Sequence, residues 1–351
     1  MLPGVKVLFV RLSAIGDVIQ GIPALVALKR SFPDWRISWL VEETSAPLLE
    51  KHPCLDRLFI LKRRWRTNPG AGQSAREGLA NHLQVLREIR RERFDIAIDL
   101  QGLFKSGLWT WLSGAPRRIG HNKTREFAHL FLNEYAGGRP VFDPAFPLIE
   151  RYLEPVRRLG ADPARAAFLL PEVSDGVRRS VENLLALADR SKPWIAFCPK
   201  SHWPSKDWPV ERWRSLAGEI GKSAQVLLIG AGKDSADLER IADAAPGALN
   251  LAGKTTLLEL VEIFRRCRCV AGPDTGPLHL ANAVNSPRLV MIFGATSFRR
   301  SGPWGKNHFA ISRELSCQPC FARSCRFGHT NCLGEIPEAE VRDALLKSIG
   351  I

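Results

Sequence analysis

A turn late in the chain, between a short strand and a helix, has the residue types of a phosphate site. It lies in the stretch 272–283, GPDTGPLHLANA, which follows the apolar run 269–271 and continues into helix-forming residues. The first N–H groups of a helix have no intrahelical partners and lie at the positive end of the helix dipole. The amides of Thr275, Gly276 and Leu278 could therefore bind a phosphate group.

The side chains of this turn allow a simpler interpretation. Asp274 or Thr275 could serve only as the N-cap of the helix, and His279 could be an ordinary residue of its first turn. The turn taken alone favours this capping role. Other strand ends are needed to decide between a cap and a ligand site.

The first strand of the chain also ends in a loop that carries a carboxylate. The β-rich run Val5 to Val10 leads into RLSAIGD, which ends at Asp17, and a helical pattern runs from Val18 to Arg30. Ligands of open parallel sheets gather at the carboxyl ends of the strands, so Asp17 is placed for chemistry. It could equally cap the following helix. A second loop, 101–107, follows the strand that ends at Asp99 and lies at the same sheet edge.

Further candidate loops follow the strands of the second half. Lys200 and Lys206 come after the strand that ends at Cys198, and their ammonium groups could reach a phosphate. Asp234 comes after the strand that ends at Ile229, and its carboxylate could accept a hydrogen bond from a ribose hydroxyl. With the turn at Asp274 these loops make three neighbouring strand ends, and 294–297 makes a fourth.

Alternating strands and helices position these loops. The predicted strands are 5–10, 36–41, 57–61, 94–99, 194–198, 225–229, 268–271 and 288–293. Their alternation with helical segments predicts an α/β fold with doubly wound parallel sheets. Thr256 and Glu259 predict a capping box for the helix that ends near Arg266. No G-x-G-x-x-G follows the first strand, which disfavours a nicotinamide-dependent oxidoreductase.

The length of 351 residues predicts more than one domain, with a cleft between two cores. The pattern breaks at 142–147 and again at 160–163, and a new alternation begins near Trp194. We therefore predict an N-terminal domain at 1–170, a second domain at 171–336 and a final helical segment at 337–351.

The composition is that of a soluble globular protein, with 45% hydrophobic and 25% charged residues. No apolar run is long enough to span a bilayer and no signal-peptide pattern opens the chain, so we expect a cytoplasmic protein. The formal net charge of +14 predicts an anionic partner, which could be nucleic acid, an acidic membrane surface or a phosphorylated substrate. Basic residues crowd the N-terminal loops, at Lys62, Arg63, Arg64, Arg66, Lys105, Arg117, Arg118, His121, Lys123 and Arg125.

Four of the eight cysteines form a late cluster, Cys317-x2-Cys320-x4-Cys325-x6-Cys332, with His329 nearby. The spacing permits a zinc or iron–sulfur site, although two paired C-x-x-C knuckles are lacking. Cytosolic cysteines stay reduced. We expect free thiols on a structured loop and no bound metal.

Four motifs together resemble the GT-B heptosyltransferases of glycosyltransferase family 9, which build the inner core of lipopolysaccharide. They are R-x-S-A-x-G-D at 11–17, D-L-Q-G-L-x-K-S at 99–106, K-x-W-P at 206–209 and D-T-G-x-x-H-x-A-x-A at 274–283. The runs 101–106, 63–66 and 124–126 are more similar to heptosyltransferase I than to heptosyltransferase II. Heptosyltransferase I adds the first heptose to Kdo on lipid A.

This resemblance implies two Rossmann-like domains that face an interdomain cleft, and a C-terminal helix, 337–351, that packs back toward the N-terminal domain. It also implies an inverting reaction without a metal or a cofactor. The co-substrate would be ADP-L-glycero-D-manno-heptose, and Asp17 would be the general base. The resemblance assigns the donor to the second domain, where Asp234 or a neighbour would hold the ribose. The diphosphate would be held by Lys206, Thr275, Gly276 and His279, and Asp274 belongs to the same donor-binding turn.

The resemblance also assigns an acceptor, Kdo-lipid A, and a peripheral position on the cytoplasmic face of the inner membrane. The implied acceptor-binding residues are Ser13, Gly16, Arg63, Arg64, Gln101, Lys105 and Arg125. Two alternatives remain: another family 9 transferase with a different acceptor, such as a heptosyltransferase II or III, and a basic nucleic-acid-binding protein without catalytic activity. The second would explain the charge but not the carboxylates at strand ends, so we expect no nucleic-acid partner.

Overall fold

The chain divides into two compact units, each built on its own parallel sheet. The computed structural model describes residues 4–62, 75–122, 124, 126–140, 143–305 and 308–351. The first unit comprises Met1–Asp143 and Leu148–Glu172, and the second comprises Pro144–Pro147 and Val173–Ile351. The main division, after Glu172, lies next to the boundary predicted at 170.

The first unit contains a six-stranded sheet in the order β3-β2-β1-β4-β5-β6, with parallel neighbours throughout. Its strands are β1 (Lys6–Val10), β2 (Arg36–Glu42), β3 (Arg57–Leu61), β4 (Ile96–Asp99), β5 (Arg117–His121) and β6 (Glu134–Ala136). Its helices are α1 (Ile15–Ser31), α2 (Ala75–Glu92), α3 (Phe104–Leu112) and α4 (Leu148–Arg158). The central strands β1 and β4 are apolar and buried, as expected for a sheet covered on both faces.

Helix α1 holds the loop that carries Asp17. The helix is one continuous element that runs through Pro23, and its residues from Val18 to Leu28 are all buried. Gly21 is closely packed there, since a Cβ atom at this position would lie 3.0 Å from the Trp39 ring. The helix does not restart at Pro23, and Asp17 lies on the first turn of this packed helix.

The second unit repeats the design with a sheet in the order β12-β11-β10-β7-β8-β9, again with parallel neighbours. Its strands are β7 (Trp194–Phe197), β8 (Gln225–Leu228), β9 (Leu249–Asn250), β10 (Cys269–Pro273), β11 (Arg288–Phe293) and β12 (Phe309–Ser312). Its helices are α5 (Asp175–Leu184), α6 (Val210–Ile220), α7 (Ser235–Ala242), α8 (Leu257–Arg266), α9 (Gly276–Val284), α10 (Phe298–Ser301), α11 (Asn331–Gly334) and α12 (Glu338–Ile349).

The final helix, α12, belongs to the second unit and packs on α6, β10 and β11. Its predicted packing toward the first domain stays a prediction. No helix of the described residues is long and apolar enough to cross a membrane.

The structure corrects the sequence pattern mainly at short elements. The segment after β2 forms only a 3-10 turn, Ala46–Leu48, and the helix that opens the second unit ends at Leu184. The strands β5, β6, β9 and β12 were not predicted. They flank the central strands. β6 and β9 have only three and two residues, and β5 has three basic residues among its five, so these sequences carry little apolar signal.

The predicted capping box at the start of α8 is confirmed. The Thr256 hydroxyl accepts the Glu259 N–H at 3.3 Å, and the Glu259 carboxylate accepts the Thr256 N–H at 2.7 Å. These bonds satisfy two backbone donors that the helix itself leaves unpaired.

We predict that Thr256→Ala lowers the free energy of unfolding of the second unit by about 1 kcal/mol, because one cap bond is lost. Urea unfolding followed by circular dichroism measures the change. Thr255→Ala removes the neighbouring threonine and serves as the matched control. Equal losses in both variants would contradict a specific capping role.

Candidate functional site

In the first unit, Asp17 is paired with an arginine from the end of β1. The Arg11 guanidinium contacts Asp17 Oδ2, and the same oxygen accepts the Ala14 N–H at 3.4 Å. The Asp17 side chain is 35% exposed, whereas that of Arg11 is only 7% exposed. Asp17 thus helps to cap α1 and still presents its carboxylate to solvent, so the two interpretations of the sequence are compatible.

Arg11 is a buried cation held by aromatic and anionic neighbours. Its guanidinium carbon lies 5.5 Å from the centroid of the Tyr152 ring. Burial lowers the pKa of Arg11, but Asp17, followed by Tyr152 and Asp99, more than offsets this and leaves the pKa raised. Arg11 therefore stays charged and fixes the position of the Asp17 carboxylate.

The loop after β4 is organised by a second buried carboxylate. Asp99 Oδ1 accepts the N–H groups of Gln101 at 2.8 Å and of Gly102 at 3.0 Å, and Oδ2 accepts the Ser106 hydroxyl at 3.1 Å. Burial raises the pKa of Asp99 despite these three hydrogen bonds. The Gln101 side chain in turn accepts the Leu12 N–H at 3.0 Å, which ties this loop to the loop that carries Asp17.

Lys105 completes the group of predicted residues at this sheet edge. Its Nζ donates to Ser13 Oγ at 3.2 Å and pairs with Glu42 Oε1 at 2.8 Å, at the end of β2. The Lys105 side chain is 45% exposed, whereas that of Glu42 is 12% exposed. Gly16 lies buried in the first turn of α1.

Sequence reasoning missed three residues of this group and named three others that the structure does not describe. Arg11 belongs to a motif but received no role, and neither Glu42 nor Tyr152 was singled out. Glu42 could have been found from the sequence, because it lies at the end of a predicted strand. Tyr152 could not, because it comes from α4, far along the chain. The predicted Arg63, Arg64 and Arg125 lie outside the described residues.

In the second unit, three predicted residues converge at the turn between β10 and α9. Lys206 Nζ donates to the Asp274 carbonyl oxygen at 2.8 Å and lies 3.5 Å from Asp274 Oδ2. His279 Nε2 lies 2.9 Å from Asp274 Oδ1. The N-cap residue Thr275 makes no capping bond through its side chain. Asp274 is therefore the centre of a buried polar cluster, which the capping interpretation does not explain.

The environment of Asp274 keeps it ionised. Burial raises its pKa, but the positive charge of Lys206 and the hydrogen bond with His279, with a smaller contribution from Thr296, bring the pKa well below its ordinary value. Thr296 is buried in the loop after β11, the fourth strand-end loop. Sequence reasoning noted that loop without naming the residue.

One of the three amides expected to bind phosphate already has a hydrogen-bond partner within the protein. The Leu278 N–H donates to the Thr275 carbonyl at 3.1 Å, so the expectation that this amide holds a ligand is wrong. Thr275 and Gly276 are the N-cap and the first residue of α9, and such amides have no earlier helical carbonyl as a partner. They remain candidates to bind an anion.

The two candidate lysines have different partners. Lys200 Nζ pairs with Asp237 at 2.7 Å and lies 3.9 Å from Asp207, whereas Lys206 lies beside the Asp274 turn. The Lys206 ammonium also lies 4.7 Å from the centroid of the Trp203 ring. Only Lys206 places its charge at the N-terminus of α9, which favours it as the phosphate ligand.

Asp234 is positioned by its own loop. Its Oδ2 accepts the Ala231 N–H at 3.1 Å, directly after β8. This bond orients the carboxylate at the strand end, and the ribose contact stays a prediction.

The sequence pattern of glycosyltransferase family 9 (heptosyltransferase) matches residues 82–331, which is well over half of the chain. The chain belongs to glycosyltransferase family 9. The lipopolysaccharide heptosyltransferase 1 of Pseudomonas aeruginosa is 30% identical over 331 residues, covering 93% of this chain and 88% of the relative. The lipopolysaccharide heptosyltransferase 2 of Escherichia coli is 28% identical over 306 residues, covering 83% of each chain.

A solved structure of the family confirms the fold. The E. coli ADP-heptose lipopolysaccharide heptosyltransferase II superposes with a TM-score of 0.75 at 23% identity, and the match covers 98% of each chain. The predicted GT-B fold, with two Rossmann-like sheets, is therefore correct for this family 9 member.

We predict that Lys206→Met raises the pKa of Asp274, because the largest stabilising charge is removed from a buried carboxylate. A depressed carboxyl pKa contributes stability above the unfolded value of about 4, and this stability is lost as the pH falls through the folded pKa. The acid unfolding midpoint of the variant should therefore move up by about one pH unit. Circular dichroism between pH 2 and pH 7 measures it.

Lys200→Met is the matched control, since Lys200 pairs with other carboxylates. Its acid midpoint should stay closer to that of the unmodified protein. A larger shift in the Lys200 variant than in the Lys206 variant would contradict the assigned pairing.

Proposed function

We propose that this family 9 glycosyltransferase transfers heptose from ADP-L-glycero-D-manno-heptose to Kdo in the inner core of lipopolysaccharide. The transfer inverts the anomeric centre and needs no catalytic metal. The observation that carries the proposal is the Lys206–Asp274–His279 cluster at the N-terminus of α9, where a cation and the helix dipole meet. Similarity to a lipopolysaccharide heptosyltransferase 1 supports the choice of sugar and acceptor.

The second unit holds the donor. The Lys206 ammonium and the Thr275 and Gly276 amides bind the diphosphate, and the Asp234 carboxylate binds the ribose. Negative charge grows on the diphosphate as it leaves the sugar. Donors fixed in advance around that charge stabilise the transition state more than the ground state. Asp274 orients Lys206 and His279 for this task and does not itself face the phosphate.

The first unit supplies the base and the acceptor contacts. Asp17 removes the proton of the Kdo hydroxyl as that oxygen bonds to the anomeric carbon and the bond to the ADP oxygen breaks. Arg11 holds one of the two carboxylate oxygens. The other oxygen remains available for the proton.

We predict that Asp17→Asn lowers kcat by about 10²–10⁴-fold, because the amide cannot accept the proton. ADP binding measured by calorimetry should stay within about twofold of the parent, since the donor binds in the second unit. Asp56→Asn, which also removes an ion-paired carboxylate of the first unit, is the control. Near-normal turnover in the Asp17 variant would show that Asp17 is not the general base.

Basic residues of the first unit bind the carboxylate of Kdo and the phosphates of lipid A. Lys105 donates to Ser13 at the sheet edge that carries Asp17, and Gln101 belongs to the loop at the same edge. Arg63, Arg64 and Arg125, which lie outside the described residues, are assigned the same role by the resemblance of their motifs. Gly16 leaves room for the acceptor at the start of α1. The net charge of +14 favours contact with an anionic inner-membrane surface, where the lipid acceptor resides.

We predict that Lys105→Glu raises the acceptor KM by about tenfold or more, because a charge-assisted hydrogen bond is replaced by repulsion. The KM for ADP-heptose should be unchanged. Lys51→Glu reverses an exposed charge elsewhere in the first unit and is the control. Equal changes in both Michaelis constants would contradict an acceptor role for Lys105.

A second function within the family is favoured by the similarity to a lipopolysaccharide heptosyltransferase 2. In that case the acceptor already carries a heptose. Transfer of labelled heptose to Kdo-lipid A and to its heptosylated form separates the two. Thermal-shift measurements with ADP, UDP, NAD and single-stranded DNA test the donor class, and only ADP should raise Tm substantially.

A further inference from the structure

The late cysteine cluster has no part in the transfer reaction, yet the fold gathers it around one point. Cys317, Cys320, Cys325 and Cys332 all line a single cavity of about 20 Å³ in the second unit, with His329 on the same wall. The protein's other cysteines are buried elsewhere. A cavity of this size holds about one water molecule or one ion.

The turn that carries Cys325 is closed by its own backbone. The Gly328 N–H donates to the Cys325 carbonyl at 3.2 Å, and Gly328 has a φ of +75°, which a side chain would strain. This turn therefore holds Cys325 in the lining of the cavity.

The other three cysteines are held by anchored segments. Cys332 lies on α11, whose Leu333 is buried in the core of the second unit. Between Cys317 and Cys320, the Gln318 side chain donates to the Gly294 carbonyl at 2.6 Å and accepts the Leu315 N–H at 3.1 Å. The loop is therefore preorganised, although it contains little regular secondary structure.

The loop carries positive charge, because Arg323 and Arg326 belong to it and no acidic residue occurs between Cys317 and Cys332. A metal ion bound by four thiolates has a net negative charge, which these arginines would complement. Within the described residues, no three His, Cys, Asp or Glu side chains are already arranged so that they could bind one metal ion. Rotation of the cysteine side chains between staggered rotamers would be needed to bring the sulfurs inward.

We propose that Cys317, Cys320, Cys325 and Cys332 bind one structural metal ion that prefers four thiolate ligands, either zinc or iron, which reverses the expectation of free thiols drawn from their spacing. Four cysteines that line a cavity the size of one ion can supply the tetrahedral set of sulfur ligands that both metals accept. Cysteines would fill all four coordination positions of the metal, so no position remains for a substrate. The role of the metal would therefore be structural. Binding releases the thiol protons.

The metal would stabilise the segment that carries the proposed phosphate ligand. Ser205, which precedes Lys206, donates its N–H to the Arg323 carbonyl at 3.3 Å and its hydroxyl to the Ala322 carbonyl at 2.5 Å. The Phe321 N–H donates to the Ala295 carbonyl at 2.9 Å, next to Thr296. The cysteine loop thus supports two segments of the candidate donor site. This consequence rests on the proposed function, whereas metal binding itself does not.

The full-length protein, purified under reducing and anaerobic conditions, tests the proposal directly. Elemental analysis should find about one zinc or iron per chain, and a visible absorption band would identify iron. After metal removal, titration with Co²⁺ should give the intense sulfur-to-cobalt charge-transfer absorption of a tetrahedral thiolate site, saturating near one equivalent. A chain without metal that gives no such band, or disulfides among the four cysteines, would overturn the proposal.

Single serine variants assign the ligands. Cys325→Ser and Cys320→Ser should each lower the metal content about tenfold or more, whereas Cys54→Ser, a control in the first unit, should retain it. Metal content unchanged in both loop variants would also overturn the proposal. The ADP affinity of the metal-free parent is measured separately. If it is unchanged, the metal does not support the segment that carries Lys206. If the metal-loaded parent does not bind ADP at all, the proposed function is contradicted and the metal site is not.

Discussion

The candidate donor site depends on a single buried charge, the carboxylate of Asp274. A buried carboxylate is costly unless it is paired and hydrogen-bonded, and here Lys206 and His279 provide both. The pairing has a structural consequence, because it draws the loop after β7 to the turn after β10. A flexible lysine is thereby held at the N-terminus of a helix, where its charge and the helix dipole act on the same point. Removing either partner would leave the other charge unsatisfied.

The first unit uses the same principle with the charges exchanged. There the buried group is a cation, Arg11, and its partner Asp17 is the one that reaches solvent. Asp99 adds a second buried carboxylate, which organises the neighbouring loop through the backbone of Gln101 and Gly102. In the second unit the carboxylate is buried and the binding group is positive, whereas in the first the cation is buried and the exposed group is negative. This difference suits a phosphate ligand in one unit and a proton acceptor in the other.

The proposed metal site in the cysteine loop would stabilise a family 9 fold without changing its sheets. The loop follows β12, outside the alternating pattern, and is attached to the end of β11 and to the segment before Lys206. In this position the proposed metal would rigidify ligand-binding segments and leave both sheets unchanged. The same contacts would connect it to donor binding although it lies apart from the reacting groups.

The sequence by itself determined the central strands, their alternation with helices and the positions of Asp17, Lys206 and Asp274 at strand ends. Apolar runs and helix caps are local signals, and the Thr256–Glu259 box was readable for that reason. Only the tertiary structure decided which charges pair. Arg11 meets Tyr152 across some 140 positions of sequence, and Lys206 meets Asp274 across 68. The Leu278 amide was misassigned because the bond it makes with Thr275 depends on the exact winding of the first helical turn. Short strands such as β6 and β9 escaped prediction because their pairing partners, rather than their own residues, define them.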